Sequence, residues 1–315
     1  MTGPRISAAI CTYDRYDLLP KAIDSLTRQT LEQDDFEILV IDNSPDHAKS
    51  EAFARDWRGI ANLAWIVEKT PGLSNARNVA SRTARAPLIA FMDDDAIAAP
   101  DWLERYVAVF EKFGADAQVA GGKVDPIWAS PQPEWLPDSL LGNVSVVDWG
   151  GPDRFASKTE WVAGTNIAFR IEALAAAGGF SVHLGRTKGG QLLLSNDETD
   201  VIERMAANGA RLIYAPTAVV RHLVPSERLT QEWFRRRVAW QAVSDYLLDS
   251  AKLFDKAPGY WRAVTEFYAR LPPKHRNPRG LYAEQSDPEM FRMQMNAIYN
   301  FTVVMLTGFR DLEQG

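Results

Sequence analysis

Two rhythms alternate through the first half of the chain. Short runs dominated by Ile, Val, Leu, Ala and Phe ("RISAAICTYD", "FEILVIDNS", "LAWIVEK", "PLIAFM") are separated by stretches whose apolar residues recur every three or four positions. Runs of the first kind read as buried strands and stretches of the second as amphipathic helices, so the alternation predicts an α/β sheet with crossover helices. "FEILVIDNS" stays apolar until Asp42, Asn43 and Ser44 close it, as expected of a parallel strand covered on both faces. After the first strand, Leu18, Leu19, Ala22, Ile23 and Leu26 share one helical face, with Asp17 placed as a cap and Pro20 tolerated in the first turn. "LSNARNVASRTA" predicts a helix capped by Ser74. "WLERYVAVFEKFG" predicts one opened by a capping box of Asp101 and Glu104 and stopped at Gly114.

From about Gly121 to Arg154 the chain is rich in Pro, Trp and Gly ("PIWASPQPEWLP", "DWGGPDR") and reads as irregular loop, the kind of segment that often carries binding residues. Regular pattern resumes with "WVAGTNIAFR", the helices "IEALAAAGGF" and "DETDVIERMAANG", the latter ended by Gly209, and two strands, "RLIYAP" and "AVVRHLV". From Ser226 the pattern is mostly helical. We therefore expect an α/β domain over residues 1–225 and a helical C-terminal extension over 226–315.

Composition narrows the function classes. At 315 residues, with 46% hydrophobic and 24% charged residues, the chain has the make-up of an ordinary globular protein. Its net charge of −6 argues against nucleic acid as a partner. The single cysteine, Cys11, excludes an internal disulfide and a cysteine-based zinc cluster. The N-terminal apolar stretch is short and soon broken for a secretory signal, and "FTVVMLTGF" falls short of a membrane span, so the expected location is cytoplasmic.

The candidate chemistry lies where strands end. Thr12, Tyr13 and Asp14 follow the first strand, Asp42 and Asn43 the second, and Asp93, Asp94 and Asp95 the fourth. Ligands of open parallel sheets bind at this edge, and three polar endings there suggest one pocket. Adjacent carboxylates repel, and a turn needs at most one of them, so the three aspartates call for positive charge. Asp93 and Asp95 suit a hard divalent cation, Mg²⁺ or Mn²⁺, that also takes phosphate oxygens. Arg77, early in its helix, suits a pyrophosphate. "SNDETD" places Asp197, Glu198 and Asp200 in a first helical turn, where acids are also favoured by the helix dipole alone. His222, in a β-branched strand, is a ligand only if a metal is near.

Taken together, "AICTYDRYDLLPKAIDSLTRQ", "EILVIDNS", "PGLSNARNVA", "PLIAFMDDDA", "VAGTNIAFR" and "ETDVIERMAANGARLIYAPTAVVRH" resemble, in order and spacing, the family 2 glycosyltransferases. The resemblance implies a GT-A (Rossmann-like) fold, a mixed, mostly parallel central sheet flanked by helices, and inverting transfer from a nucleotide-diphosphate sugar, with UDP- or dTDP-sugars expected, to a glycan or lipid-linked glycan acceptor. It implies that Thr12, Tyr13 and Asp42 hold the nucleoside, that Arg77 lies beside the diphosphate, and that Asp93-Asp94-Asp95 is the Asp-x-Asp motif for a Mn²⁺ or Mg²⁺ ion, with His222 a further ligand. Gly164, Thr165 and Asn166 fall where the family lines the sugar and acceptor site. The family's catalytic base comes from a Glu-Asp pair; here the order is inverted, and Glu198 and Asp197 both stand as the base. Trp128 and Trp135 are candidates for stacking on an acceptor sugar. In "EWFRRRVAWQ", Trp233, Phe234 and Arg235 to Arg237 are candidates for a lipid-diphosphate acceptor or the inner face of the cytoplasmic membrane. The rival readings are a non-catalytic nucleotide-sugar- or glycan-binding protein and a metal-dependent phosphohydrolase or nucleotidyltransferase.

Overall fold

A computed structural model describes residues 3–184, 193–254 and 257–313. The strands are β1 (Ile6–Thr12), β2 (Phe36–Asp42), β3 (Leu63–Val67), β4 (Leu88–Asp93), β5 (Ala96–Ala98), β6 (Ala117–Trp128), β7 (Arg154–Phe155), β8 (Ile167–Arg170) and β9 (Arg211–Val224). They form one sheet in the order β3-β2-β1-β4-β8-β6-β9-β5, with β7 paired to β9. The first four strands in that order are parallel, and β8 continues the sheet antiparallel to β4. Every residue of β2 is buried, as its sequence required.

Helices α1 (Leu19–Thr27), α2 (His47–Ala54), α3 (Leu73–Thr83), α4 (Trp102–Phe113), α5 (Ile171–Ala176) and α6 (Asp197–Ala207) accompany the sheet. One apolar cluster is built on Ile6, Ala8, Ile10, Ile38 and Val40 with Leu19, Ile23 and Leu26 of α1 and Trp102, Tyr106 and Phe110 of α4. A second, on the opposite-facing Ala9, Leu39 and Ile41, takes in Ala76 and Ala80 of α3 and Val201 and Met205 of α6. The alternation of side chains along β1 and β2 divides these two layers.

Helix positions follow the sequence, but three expected caps do not form. Leu18, not Asp17, occupies the N-cap of α1, with Pro20 in the first turn as expected. Gly72 is the N-cap of α3, and Ser74, already inside the helix, donates instead to the Leu184 carbonyl (3.0 Å). Asp101 is at the N-cap of α4 but makes no cap bond. It accepts from Arg105 Nε (2.8 Å) while Glu104 accepts from Thr30 (2.8 Å). Two further differences concern strands. β6 carries regular structure through Trp128, inside the segment expected to be loop. "RLIYAP" and "AVVRHLV" are one strand, β9, in which Pro216 falls between the residues paired to β7 and those paired to β5.

The chain divides into two compact units, one of residues 1–127, 145–191 and 197–223, the other of 128–144, 192–196 and 224–315. The second is helical, with α7 (Gln231–Leu248), α8 (Ser250–Phe254), α9 (Ala257–Arg270) and α10 (Pro288–Glu313). Its aromatic core joins Trp135, Phe234 and Phe291 with ring centroids 4.7–5.9 Å apart. Phe234 is fully buried there and does not face lipid. Of the three consecutive arginines, Arg235 pairs with Glu284 (2.8 Å) and Arg237 donates to Gln241 (2.9 Å), while Arg236 is exposed. Among the described residues no helix is long and apolar enough to cross a membrane.

Candidate active site

Strand register assembles the site. β1 pairs with β2 so that Thr12 lies opposite Asp42, and with β4 so that Cys11 lies opposite Asp93, which levels three polar strand ends on one edge of the sheet. Thr12 Oγ1 donates to Asp94 (2.7 Å). The Asp42 carboxylate, fully buried, accepts from Tyr16 Oη (2.9 Å), from the Ser44 amide (3.0 Å) and from the hydroxyls of Ser44 and Ser50. Asn43 ties β2 to the chain ahead of α3: its amide donates to the carbonyls of Glu68 and Thr70, and its oxygen accepts from Gly72 N. Asp14 turns the chain after β1 with φ of 53° and pairs with Lys49 (2.6 Å), beside the partly exposed Tyr13.

The aspartate run divides into distinct tasks. Asp94 and Asp95 are both held by Arg15 Nη1, at 3.1 and 2.9 Å. Burial, only partly offset by Arg15, pushes Asp94 up to about 7. Antiparallel pairing of β5 with β9 sets His222 opposite Ala96, and its Nε2 lies 3.2 Å from Asp95 Oδ1. Asp93, Asp95 and His222 each offer a ligand atom, all within 4.8 Å of one another. The buried His222 Nδ1 has no hydrogen-bond partner. Two carboxylates and an imidazole with a spare buried nitrogen fit a divalent cation of the Mn²⁺ or Mg²⁺ type, and Asp93, the most open of the three, leaves a side for further oxygen ligands.

The second half of the site is an acid pair around a buried arginine. Arg77 Nη1 lies 2.6 Å from Asp197 and 3.9 Å from Glu198, and its Nη2 lies 3.8 Å from Asp93. Close approach is possible because residue 164 is glycine: a Cβ there would come within 2.5 Å of Arg77 Nη2. Burial would lower Arg77, but Asp197, Glu198 and Asp93 outweigh it and raise it further above its ordinary range. The two acids respond oppositely. Burial raises Asp197, yet the adjacent Arg77 prevails and holds it below the usual carboxylate range. Burial and the neighbouring Asp197 charge push Glu198 up to about 8. Glu198 accepts from Gly164 N (3.2 Å) and its side chain keeps 22% exposure against 4% for Asp197.

Thr165 is also drawn in, its hydroxyl accepting from Asp93 N (3.3 Å). Asn166 is different. Its oxygen accepts from Trp102 Nε1 (2.8 Å) and Tyr106 Oη (2.6 Å), and its amide donates to the carbonyls of Lys123 and Ala218 (both 2.8 Å). With no exposed surface and every polar valence used, it is a tie between α4, β6 and β9 and does not line a sugar site. Arg15 is the residue that reading the sequence missed: its one signal is a cation three positions past a polar strand end. A cavity of about 1100 Å³ lies elsewhere, around Arg5, Leu88 and Arg170.

Residues 7–138 match the family model described as "Glycosyl transferase family 2". The chain is 28% identical over 251 residues to the glucosyl-dolichyl phosphate glucuronosyltransferase of Haloferax volcanii, a match covering 78% of this chain and 77% of the relative. Over residues 7–138 the chain is similar to the family 2 glycosyltransferases. Solved structures of this kind share its fold. A mannosyltransferase from Pyrobaculum calidifontis, in complex with GDP-Man and Mn²⁺, aligns with a TM-score of 0.59 at 18% identity, over 98% of this chain and 88% of that one. TarS 1–349 of S. aureus, in complex with UDP, aligns with a TM-score of 0.55 at 17% identity, over 98% and 91%. The fold of this chain is accordingly GT-A, α/β with a mixed sheet flanked by helices.

Proposed function

We propose that this protein is a glycosyltransferase that moves a sugar, with inversion, from a nucleotide-diphosphate sugar to a hydroxyl of a glycan or lipid-linked glycan, and that Glu198 is the catalytic base. The observation that carries the proposal is the position of Arg77: one buried guanidinium has Asp93 and Glu198 on its two sides, each within 4 Å. A cation-binding aspartate and a proton acceptor are thereby held together, as a single displacement at an anomeric carbon needs.

In this reading Glu198 takes the proton from the acceptor hydroxyl as its oxygen bonds to the anomeric carbon and the bond to the diphosphate breaks on the opposite face. Asp197, committed to Arg77, holds the guanidinium rather than the proton. Arg77, almost without exposed surface, acts as a positioning residue for the acids. Asp93, Asp95 and His222 would hold a Mn²⁺ or Mg²⁺ ion, which when bound supplies positive charge against the leaving diphosphate. Thr12, Tyr13, Asp14, Asp42 and Asn43 would frame the nucleoside, with Gly164 and Thr165 beside the sugar. A UDP- or dTDP-sugar is the expected donor, and the dolichyl-phosphate glycolipid named in the Haloferax relative supports a lipid-linked acceptor.

Calorimetric titration of UDP, dTDP and GDP with and without Mn²⁺ tests the donor half. Metal-dependent binding of one nucleotide that disappears in Asp95→Ala is expected, and absence of all nucleotide binding would overturn the reading. Glu198→Gln should keep that binding while losing about 10²- to 10⁴-fold in transfer, the usual contribution of a general base. Undiminished transfer in this variant would remove Glu198 from the role, and binding without any turnover in the wild type would favour a non-catalytic protein.

A further inference from the structure

The segment that leads into Gly164 has a feature that the Asp-x-Asp motif and the acid pair do not use. Trp149 and Trp161 keep 39% and 40% exposure. Their rings stand 6.3 Å apart at 85°, forming a corner rather than a stack. The corner is built, not incidental. Trp149 Nε1 donates to the Trp161 carbonyl (2.8 Å) and Trp149 N to Tyr214 Oη (3.0 Å), so the buried Tyr214 anchors it to β9. Gly150 and Gly151, both at positive φ (61° and 78°), turn the chain directly after Trp149.

Position and chemistry define its occupant. Trp161 precedes Gly164 by three residues, at most about 10 Å of extended chain, and Gly164 N bonds Glu198 (3.2 Å). The rim is polar and carries one more carboxylate than cation: Lys123 lies 3.2 Å from Asp125 and 3.1 Å from Asp148, and Arg154 pairs with Glu160. Such a rim offers hydrogen bonds and a small net negative charge, which disfavours a polyanion. It also disfavours an acyl chain, which would strand those charges. Indole faces that meet the C–H faces of pyranose rings, ringed by groups that bond hydroxyls, suit a neutral oligosaccharide.

We propose that Trp149 and Trp161 form a carbohydrate platform that holds the acceptor glycan one or more sugars away from the reacting hydroxyl. The acceptor is then a chain of sugars, not a monosaccharide. The inference rests on the glycosyltransfer reading above, and its failure can be told apart from that of the reading. Cellotetraose, maltotetraose, chitotetraose and α-1,6-mannotetraose are titrated calorimetrically into the wild type, Trp149→Ala, Trp161→Ala and Trp161→Tyr, with UDP, dTDP and GDP titrated in Mn²⁺ on the same samples. At least one tetrasaccharide should bind the wild type and shield tryptophan fluorescence from acrylamide. Its affinity should fall about tenfold in either alanine variant and recover in Trp161→Tyr, with nucleotide affinity unchanged. If no tetrasaccharide binds, if the alanine variants bind as well as the wild type, or if only phosphatidylglycerol vesicles give the shielding, the platform is not a sugar site. Loss of all nucleotide binding in the wild type would sink the glycosyltransfer reading instead.

Discussion

Asp197 and Glu198 are consecutive carboxylates with opposite electrostatic fates, and the difference is one guanidinium. Arg77 lies 2.6 Å from the first and 3.9 Å from the second, so the first is ionised by its partner and the second is left with the cost of burial and a charged neighbour. The pair titrates together, and the rate of transfer should rise with pH as Glu198 loses its proton, toward about 8. Asp197→Asn removes the charge that raises Glu198 and frees Arg77, so the ascending limb of the pH–rate profile should move to lower pH. A profile unchanged in this variant would mean that Glu198 does not feel Asp197. Arg77→Ala leaves Asp197 buried without its cation and should cost about 3–5 kcal/mol of unfolding free energy, measured in urea. The strand-end aspartates were legible as one-letter code because three adjacent acids have no cheap structural reading. Arg15 was not, since an arginine in a turn is ordinary until the fold sets it 2.9 Å from Asp95.

Elements were legible wherever apolar period and burial coincide. β1 to β4, α1, α3 and α4 fall where the runs predicted, because each must cover one face or two with apolar side chains. Their caps were not, because a short polar side chain at a helix start has competitors that lie far away in sequence: Asp101 turns to Arg105, and Ser74 to the carbonyl of Leu184. The same holds for "GTN" after the loop region. Gly164 N bonds Glu198 and the Thr165 hydroxyl accepts from Asp93 N, while the Asn166 side chain ties two strands to α4. Asn166→Ala should strand the Trp102 and Tyr106 donors in the core, each at about 1–3 kcal/mol. Denaturant melts should therefore show a loss on the order of 3 kcal/mol, with a smaller loss for Thr165→Val. Equal losses would mean that the Asn166 bonds contribute little.

For the molecule as a whole, the site is a concentration of like charge that folding must tolerate. Asp93, Asp94, Asp95, Asp197 and Glu198 share Arg15 and Arg77 as their cations. Asp94 and Glu198 have folded pKa values raised, to about 7 and about 8, from ordinary values of 3.8 and 4.5. The folded state therefore holds protons that the unfolded chain releases. Their contribution to stability is complete below about pH 4 and is lost as pH rises through 7 to 8. Thermal melts in EDTA should fall in midpoint between about pH 5 and 8, and the fall should shrink in Glu198→Gln. Mn²⁺ with the cognate nucleotide should reverse it, by about 2.7 kcal/mol at a hundredfold excess over Kd. A midpoint flat with pH in EDTA would mean that these acids are better compensated than their surroundings indicate.

The order of apolar runs and the polar residues that end them were enough to specify an α/β sheet with its polar strand ends on one edge, because burial on two faces and charge crowding leave marks in a linear string. Which side chains meet was decided only in three dimensions. Strand register placed Thr12 opposite Asp42, the β5–β9 pairing brought His222 to Asp95, and a missing Cβ at Gly164 admitted Arg77 to the acid pair. The exposed tryptophans moved likewise: Trp135 is drawn into the aromatic core of the helical unit, while Trp149 and Trp161 are left open by a turn through two left-handed glycines. Pairwise distance between residues far apart in sequence sets pKa, partner and exposure, and that distance exists only once the chain has folded.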